Sequence, residues 1–354
     1  MLLKRQRRGN RFCLPRWMFV QIGVVILLES AVLLSACATN QGTGNNPNPT
    51  PTLQTSSATP SVQVNGPAAV VAPGNTIKTV FLILMENHNW ADIKGSSSAP
   101  YINGTLLPMA SYARQYYNPP GIHPSEPNYL WLEAGTNFGI FNDGPPSFNH
   151  LGTTRHLVTL LHTAHISWKS YQEDISGSVC PLTASGAYAP KHNPMVFFDD
   201  VTNSNDPHSS YCIAHERPFG GLAADLQNNT VARYNFITPN LCDDMHDSCG
   251  PLNDPVKQGD SWLSQNLPPI LNSQAYNDGG VVFITWDEGE GGDGPIGMIV
   301  LSPDAKGGGY WNTIHYTHSS TLRTLEEIFG VTPLLGDAAH AADLRDLFKT
   351  FPNH

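Results

Sequence analysis

The chain has 354 residues, 40% of them hydrophobic and 14% charged, with a formal net charge of −10. That length allows one large domain or two small ones, and a sizeable core either way. Residues 1–37 hold Lys4, Arg5, Arg7, Arg8, Arg11 and Arg16 against Glu29 alone, which leaves the remainder at about −15. So acidic a body argues against nucleic acid as a partner, because such binding rests on Lys and Arg neutralising phosphates.

The first segment is a basic stretch, then the apolar run "MFVQIGVVILLESAVLL", then "LSAC" ending at Cys37. Charge, apolar run and small residues are the logic of an export signal. "LSAC" also resembles the lipobox of bacterial lipoproteins, in which the cysteine is acylated. Residues 1–37 are therefore read as a signal peptide with a lipobox. An uncleaved membrane anchor and a plain secretory signal are the other readings. All three place the body outside the cytoplasm, and the lipobox reading ties it to the bacterial envelope through Cys37. Residues 38–75 are rich in Asn, Pro, Thr, Ser and Gly and carry no charge. Such a stretch buries too little apolar area to offset its ordering entropy, so it reads as a flexible linker. Residues 76–354 are read as the folded body.

Beyond the leader, Cys180, Cys212, Cys242 and Cys249 remain. An even number in an oxidising compartment suggests two disulfides. Of three pairings, Cys180–Cys212 with Cys242–Cys249 is the most local, and a zinc–thiolate site is the alternative.

Along the body, "TVFLILME" and "VVFITW" are continuous apolar runs, as expected of strands buried on both faces of a parallel sheet. "IGMIVLSP" reads as a third strand. Helices are expected over 106–117, 155–164 and 261–267. The last helix is "HSSTLRTLEEIFG", with Ser319 or Ser320 as cap, Leu322, Leu325, Ile328 and Phe329 as apolar stripe, and Gly330 as stop. Buried strands alternating with helices predict an α/β fold of three layers, with a mostly parallel central sheet and helices on both faces.

Ligands of such sheets bind beyond the carboxyl ends of the strands. Two strands deliver oxygen-rich pairs there, Glu86-Asn87 and Asp287-Glu288. Clustered carboxylates repel, and a divalent cation relieves that repulsion. "NLCDDMHDSC" adds Asp243, Asp244, His246 and Asp247 between two cysteines, and imidazole among carboxylates is a common metal arrangement. In "GIHPSEPNYLWLEAG", Ser125 precedes an apolar helix, at whose N-terminus backbone N–H groups favour an anion. No G-x-S-x-G elbow surrounds it, so activation by a metal is the available route. Asn128, three residues on, is placed to donate to the same ligand. Serine, cation, amide and helix end together describe a phosphate pocket.

These segments resemble a known family. "LILMENHNWADI", "HPSEPNYLWLEAGTNFG", "SWKSYQEDI", "KHNPMVFFDDV", "TPNLCDDMHDSC", "VVFITWDEGEGG" and "HYTHSSTLRTLEEIFG" occur in the order of the motifs of the bacterial and fungal phosphoesterase family. That family contains secreted acid phosphatases and phospholipases C, within the alkaline phosphatase superfamily. The likeness runs over about 79–348. It implies hydrolysis of phosphate monoesters through a phosphoserine on Ser125, with phospholipase C or another phosphodiesterase activity as the alternative. A surface binding protein that has lost catalysis is a further reading, opposed by the intact pairs. The substrate is a small phosphate ester or a lipid head group. The resemblance also implies a divalent metal of unassigned identity, held by Glu86, Asn87, Ser125, Asp287 and Glu288, with Asp243, Asp244, His246 and Asp247 sharing undivided roles. Asn128 would steady the phosphoryl oxygens. His318 would be the leaving-group acid or a ligand, and His88 and His123 would support their neighbours. Two departures stand out. His88-Asn89 follows the first pair, where the family often has x-Ser. Gly289 follows Glu288, where an acidic residue or Asn is common.

Overall fold

The computed structural model describes residues 77–352. The expected signal peptide, lipobox and linker lie outside the described residues. Among the described residues there are ten strands: β1 (Thr79–Met85), β2 (Ser111–Ala113), β3 (Tyr116–Tyr117), β4 (Trp168–Gln172), β5 (Glu216–Pro218), β6 (Tyr234–Thr238), β7 (Gly280–Trp286), β8 (Met298–Leu301), β9 (Tyr310–Asn312) and β10 (Tyr316–Thr317). Eight form one sheet in the order β5-β4-β6-β1-β7-β8-β2-β9, while β3 and β10 pair separately.

Every residue of β1 and β7 is buried. Successive side chains of a strand point to opposite faces, so both faces of the sheet are covered. This is the three-layer α/β arrangement, and the pairing is mostly parallel. From β5 through β7 every neighbour is parallel, and β8 alone runs against both of its partners. The third apolar run is thus a strand, but an antiparallel one.

The helical expectations hold unevenly. Residues 157–163 and the closing helix His318–Phe329 form where periodicity put them. The cap of the latter is Thr317 rather than Ser319 or Ser320. Ser320 instead sits at the third helical position and completes a capping box with Thr317. Gly330 ends the helix at φ 65°, a left-handed conformation that glycine adopts freely. The helix expected over 261–267 is longer, Pro255–Leu271, started by Asp254 accepting from Lys257 N. The segment 106–117 is a correction. Its helix stops at Met109, and β2 follows, held between β8 and β9. Sheet pairing on both sides outweighs local helix propensity there.

Cys180 bonds Cys212 and Cys242 bonds Cys249, the most local pairing, so the zinc–thiolate alternative falls. Among the described residues, no helix is long and apolar enough to cross a membrane.

Two buried ionisable groups make stability depend on pH. Fully buried His156 lies 3.2 Å from Glu133 Oε1 and 3.0 Å from Asp200 Oδ1. Burial opposes its charge, but the two carboxylates outweigh burial and raise its pKa. Burial pushes Glu216 up to about 8, with Asn193 Nδ2 donating to Oε2 at 2.8 Å. A folded pKa raised above the unfolded value gives stability that is complete below the unfolded value and lost as pH rises through the folded one. For Glu216 that window runs from about pH 4.3 to about 8. The loss reaches about 1.4 kcal/mol per pH unit for one such group. Thermal melts at pH 5 and pH 8 should show the wild type less stable at pH 8, and a smaller loss in Glu216→Gln.

Candidate active site

Register places the site. Met85 of β1 pairs with Trp286 of β7, so Glu86 and Asp287 leave the sheet side by side. Two backbone bonds fix this edge: Asp287 N donates to Met85 O at 2.9 Å, and Glu86 N donates to Asp244 O at 2.8 Å. The second bond draws the disulfide-closed loop of Asp244 over β1. Asn87 turns the chain at φ 42°, which asparagine tolerates better than most residues, and its N–H donates to Asp287 Oδ1 at 3.0 Å.

Ser125 opens the helix Ser125–Ala134 and is 1% exposed. Its Oγ donates to Glu86 Oε2 at 3.1 Å, so residues 39 apart in the chain meet at the sheet edge. Tyr129, one turn on, donates to Glu86 Oε1 at 2.5 Å. The carboxylates are buried together. Burial, then Asp287 and Asp244, pushes Glu86 well above the usual carboxylate range. Burial and Glu288 push Asp287 up to about 8. Asp244 and Glu288 are raised as well, burial again leading.

Several expected residues are brought together: Glu86, Asn87, Ser125, Asp244, Asp287 and Glu288. Others are not. Asp243 faces Glu173 and Asp174 instead, on the far side of its loop. Asp247 is exposed and accepts from His246 Nδ1 at 2.7 Å, orienting that ring rather than entering the cluster. His318 is buried with both ring nitrogens committed. Nε2 donates to the Asp287 carbonyl at 2.5 Å, and Nδ1 lies 3.1 Å from Tyr116 Oη. Burial lowers its pKa to about 4. No ring nitrogen is therefore left free for the leaving-group role expected of it. Asn128 also departs from expectation. Its Nδ2 faces Ile122 O at 2.9 Å, Pro124 O at 3.2 Å and Glu288 Oε2 at 2.9 Å, tying the serine turn to the acidic strand end.

Sequence reasoning passed over His192 and Lys191. His192 stacks on Tyr129 and stands between two acids, with Nδ1 3.1 Å from Asp244 Oδ2 and Nε2 3.3 Å from Glu86 Oε2. Burial, then Lys191 and His246, pushes its pKa well below the usual histidine range. Lys191 Nζ reaches Asp143 Oδ2 at 3.1 Å and His246 Nε2 at 3.2 Å. Burial opposes its charge, but Asp143, Glu86 and Asp287 outweigh burial. The signal for both was "KHNP", a loop motif without periodicity.

The residues present fit a divalent cation. Asp287 Oδ2 and His192 Nε2 are buried without a hydrogen-bond partner. Glu86, His192 and His246 each bring a ligand atom within 4.8 Å of the others. One face of the Asn87 amide lies 3.1 Å from Asp287 Oδ1 and 3.2 Å from Glu86 Oε2. A nitrogen there donates to both, and an oxygen there would share a cation with them.

Comparison with known proteins identifies the family. The model of the Phosphoesterase family matches residues 112–332. The chain is 32% identical over 285 residues to a Mycobacterium tuberculosis protein named phosphatidylinositol-3-phosphatase, covering 80% of this chain and 86% of the relative. It is 30% identical over 226 residues to the phosphate-repressible acid phosphatase of Penicillium chrysogenum, covering 60% of this chain and 51% of that one. Among solved structures, human ectonucleotide pyrophosphatase / phosphodiesterase 5 shares the fold at TM-score 0.50 and 11% identity, covering 76% of this chain and 99% of that one. Fold, site and relatives together define a phosphoric ester hydrolase. The chain belongs to the Phosphoesterase family.

Binding to the folded state alone stabilises it, by about 2.7 kcal/mol at a hundred times the dissociation constant. A divalent cation should therefore raise the melting temperature of the purified chain, and a chelator should lower it. Melts that do not move with any divalent cation would count against a cation at this edge.

Proposed function

We propose that this protein hydrolyses phosphate monoesters through attack of Ser125 Oγ on phosphorus. The observation that carries the reading is the buried Ser125 hydroxyl, 3.1 Å from Glu86 Oε2 at a helix N-terminus. Glu86 is placed to take the hydroxyl proton. Lys191 supplies a positive charge for the non-bridging oxygens. Asp143 now engages both Lys191 Nζ and the Glu126 N–H, so it occupies two donors that an incoming phosphate would use. Phosphoryl transfer asks a protein mainly for position and charge, which these residues provide. As the Oγ–P bond forms, the ester P–O bond breaks and the alcohol leaves, taking a proton from solvent. Water then attacks the phosphoserine, phosphate is released, and Glu86 returns the proton to Ser125 Oγ.

A divalent cation held by Glu86, Asn87, Asp287, Glu288 and Asp244 would add positive charge against the phosphoryl oxygens and the serine oxygen. His192 and His246 present ring nitrogens to the cluster, and they take the place that the sequence reserved for His318. The names of the relatives, an acid phosphatase and a 3-phosphatase, support a monoester over the phospholipase C reading. A lipid head group carrying a phosphate monoester fits the same chemistry. The two disulfides suit an oxidising compartment, which supports export. Attachment through an acylated Cys37 would then hold the enzyme at the envelope.

On p-nitrophenyl phosphate, Ser125→Ala should lose at least about a thousandfold in kcat, as removal of a nucleophile does. Asn128→Ala should lose about tenfold to a hundredfold, because it unties the serine turn from Glu288. Lys191→Gln should mainly raise KM. Ser125→Ala turning over at the wild-type rate would refute the nucleophile, and faster turnover of p-nitrophenyl phosphorylcholine than of p-nitrophenyl phosphate would favour a diesterase.

A further inference from the structure

The loop after Glu288 reads "GEGGDG" and contains Asp293, which the proposed chemistry leaves unused. Four of its six residues are glycine, and Gly291 and Gly292 sit at φ 77° and 144°. Glycine in such a loop carries a large ordering cost, so the loop needs a fastening. Asp293 supplies it. Its Oδ2 accepts from Gly121 N at 3.0 Å, and its Oδ1 lies 2.8 Å from His123 Nε2 and 3.3 Å from Asn118 Nδ2. All three partners belong to the segment that leads into Ser125. The loop is seated from its other side by Asn89, whose Nδ2 donates to Glu290 O at 2.8 Å. A Cβ at Gly289 or Gly294 would strike Asn89 Oδ1 at 2.5 or 2.6 Å.

His123 closes the circuit. Its Nδ1 lies 2.5 Å from Glu288 Oε2, the oxygen that also accepts from Asn128. The chain therefore leaves Glu288, turns through the glycines, and returns five residues later to grip the same imidazole from its far nitrogen. An imidazole bonded on one side only can swing about its side-chain torsion. Bonded on both sides, its plane is set, and so is the carboxylate it holds. The His123 side chain is 38% exposed and that of Asp293 is 40% exposed, so neither is needed to fill the core. Carboxylates and imidazoles behind a metal ligand commonly govern affinity in this way.

We propose that Asp293 is a positioning residue, acting through His123 to hold Glu288 in the orientation that receives a divalent cation. The proposal rests on the cation reading of the site given above. Asp293 reaches His123 by the fold-back of its loop rather than by adjacency in sequence.

The test is a double-mutant cycle on the purified full chain, with Mn²⁺ affinity measured by isothermal titration calorimetry. Asp293→Asn keeps the shape and removes the charged acceptor. It should weaken Mn²⁺ binding about tenfold or more, with a melting temperature in chelator close to that of the wild type. His123→Gln should weaken binding similarly. The double variant should bind no more weakly than His123→Gln alone, because the two residues act in series. Additive effects would overturn the proposal, as would Asp293→Asn binding like the wild type, or a wild-type chain that does not bind Mn²⁺. A wild type that binds Mn²⁺ yet leaves p-nitrophenyl phosphate intact would refute the proposed activity and leave this inference standing.

Discussion

The parallel pairing of β1 with β7 brings Glu86 and Asp287 out of the sheet together, and the rest of the site answers the charge that this creates. Both residues are fully buried. Two carboxylates without water around them cannot both ionise at low cost, and Asp244 and Glu288 add two more. Burial raises the pKa of each, so the cluster holds protons or takes a cation. The surroundings supply partial compensation: Tyr129 and Ser125 donate to Glu86, Asn87 N–H donates to Asp287, and Asn128 and His123 serve Glu288. Lys191 brings formal positive charge nearby.

That arrangement explains the loop architecture. The loop carrying Asp244 must cross over β1, and its ends are closed by Cys242–Cys249. Gln258, from the helix Pro255–Leu271, ties it further by donating to the carbonyls of Cys242 and Asp247. Gly259 of that helix lies against Met245 and Met85, where a Cβ would meet side-chain atoms at 2.4 to 2.8 Å. The helix therefore packs directly beneath the site, and Met85 is the residue just before Glu86. Precision at the cluster is thus carried by elements that are distant in sequence and close in space.

Histidines divide by environment rather than by motif. His318 stands at the N-terminus of the closing helix and props the Asp287 carbonyl from within the core. His156 joins Glu133, on the helix of Ser125, to Asp200, and so steadies that helix from its far end. His192 and His246 turn nitrogens to the acids, and His123 spans Glu288 and Asp293. One residue type serves structure, charge and position because burial and neighbours set its proton count.

Apolar runs ending in oxygen-rich pairs were enough to predict the buried strands and the edge where the acids emerge. The same reading placed Ser125 at a helix start, ended the closing helix at Gly330, and favoured the local cysteine pairing. These signals are local: periodicity, caps and short spacings are written within a few residues. Only the tertiary structure decided that Asp244 joins the cluster while Asp243, its neighbour, turns toward Glu173. It alone enclosed His318, brought in Lys191 and His192 on the short 3-10 helix Pro190–His192, and made strand of the segment after Met109. Those outcomes depend on register between strands about two hundred residues apart and on which side chains lose water, and neither leaves a period in the chain.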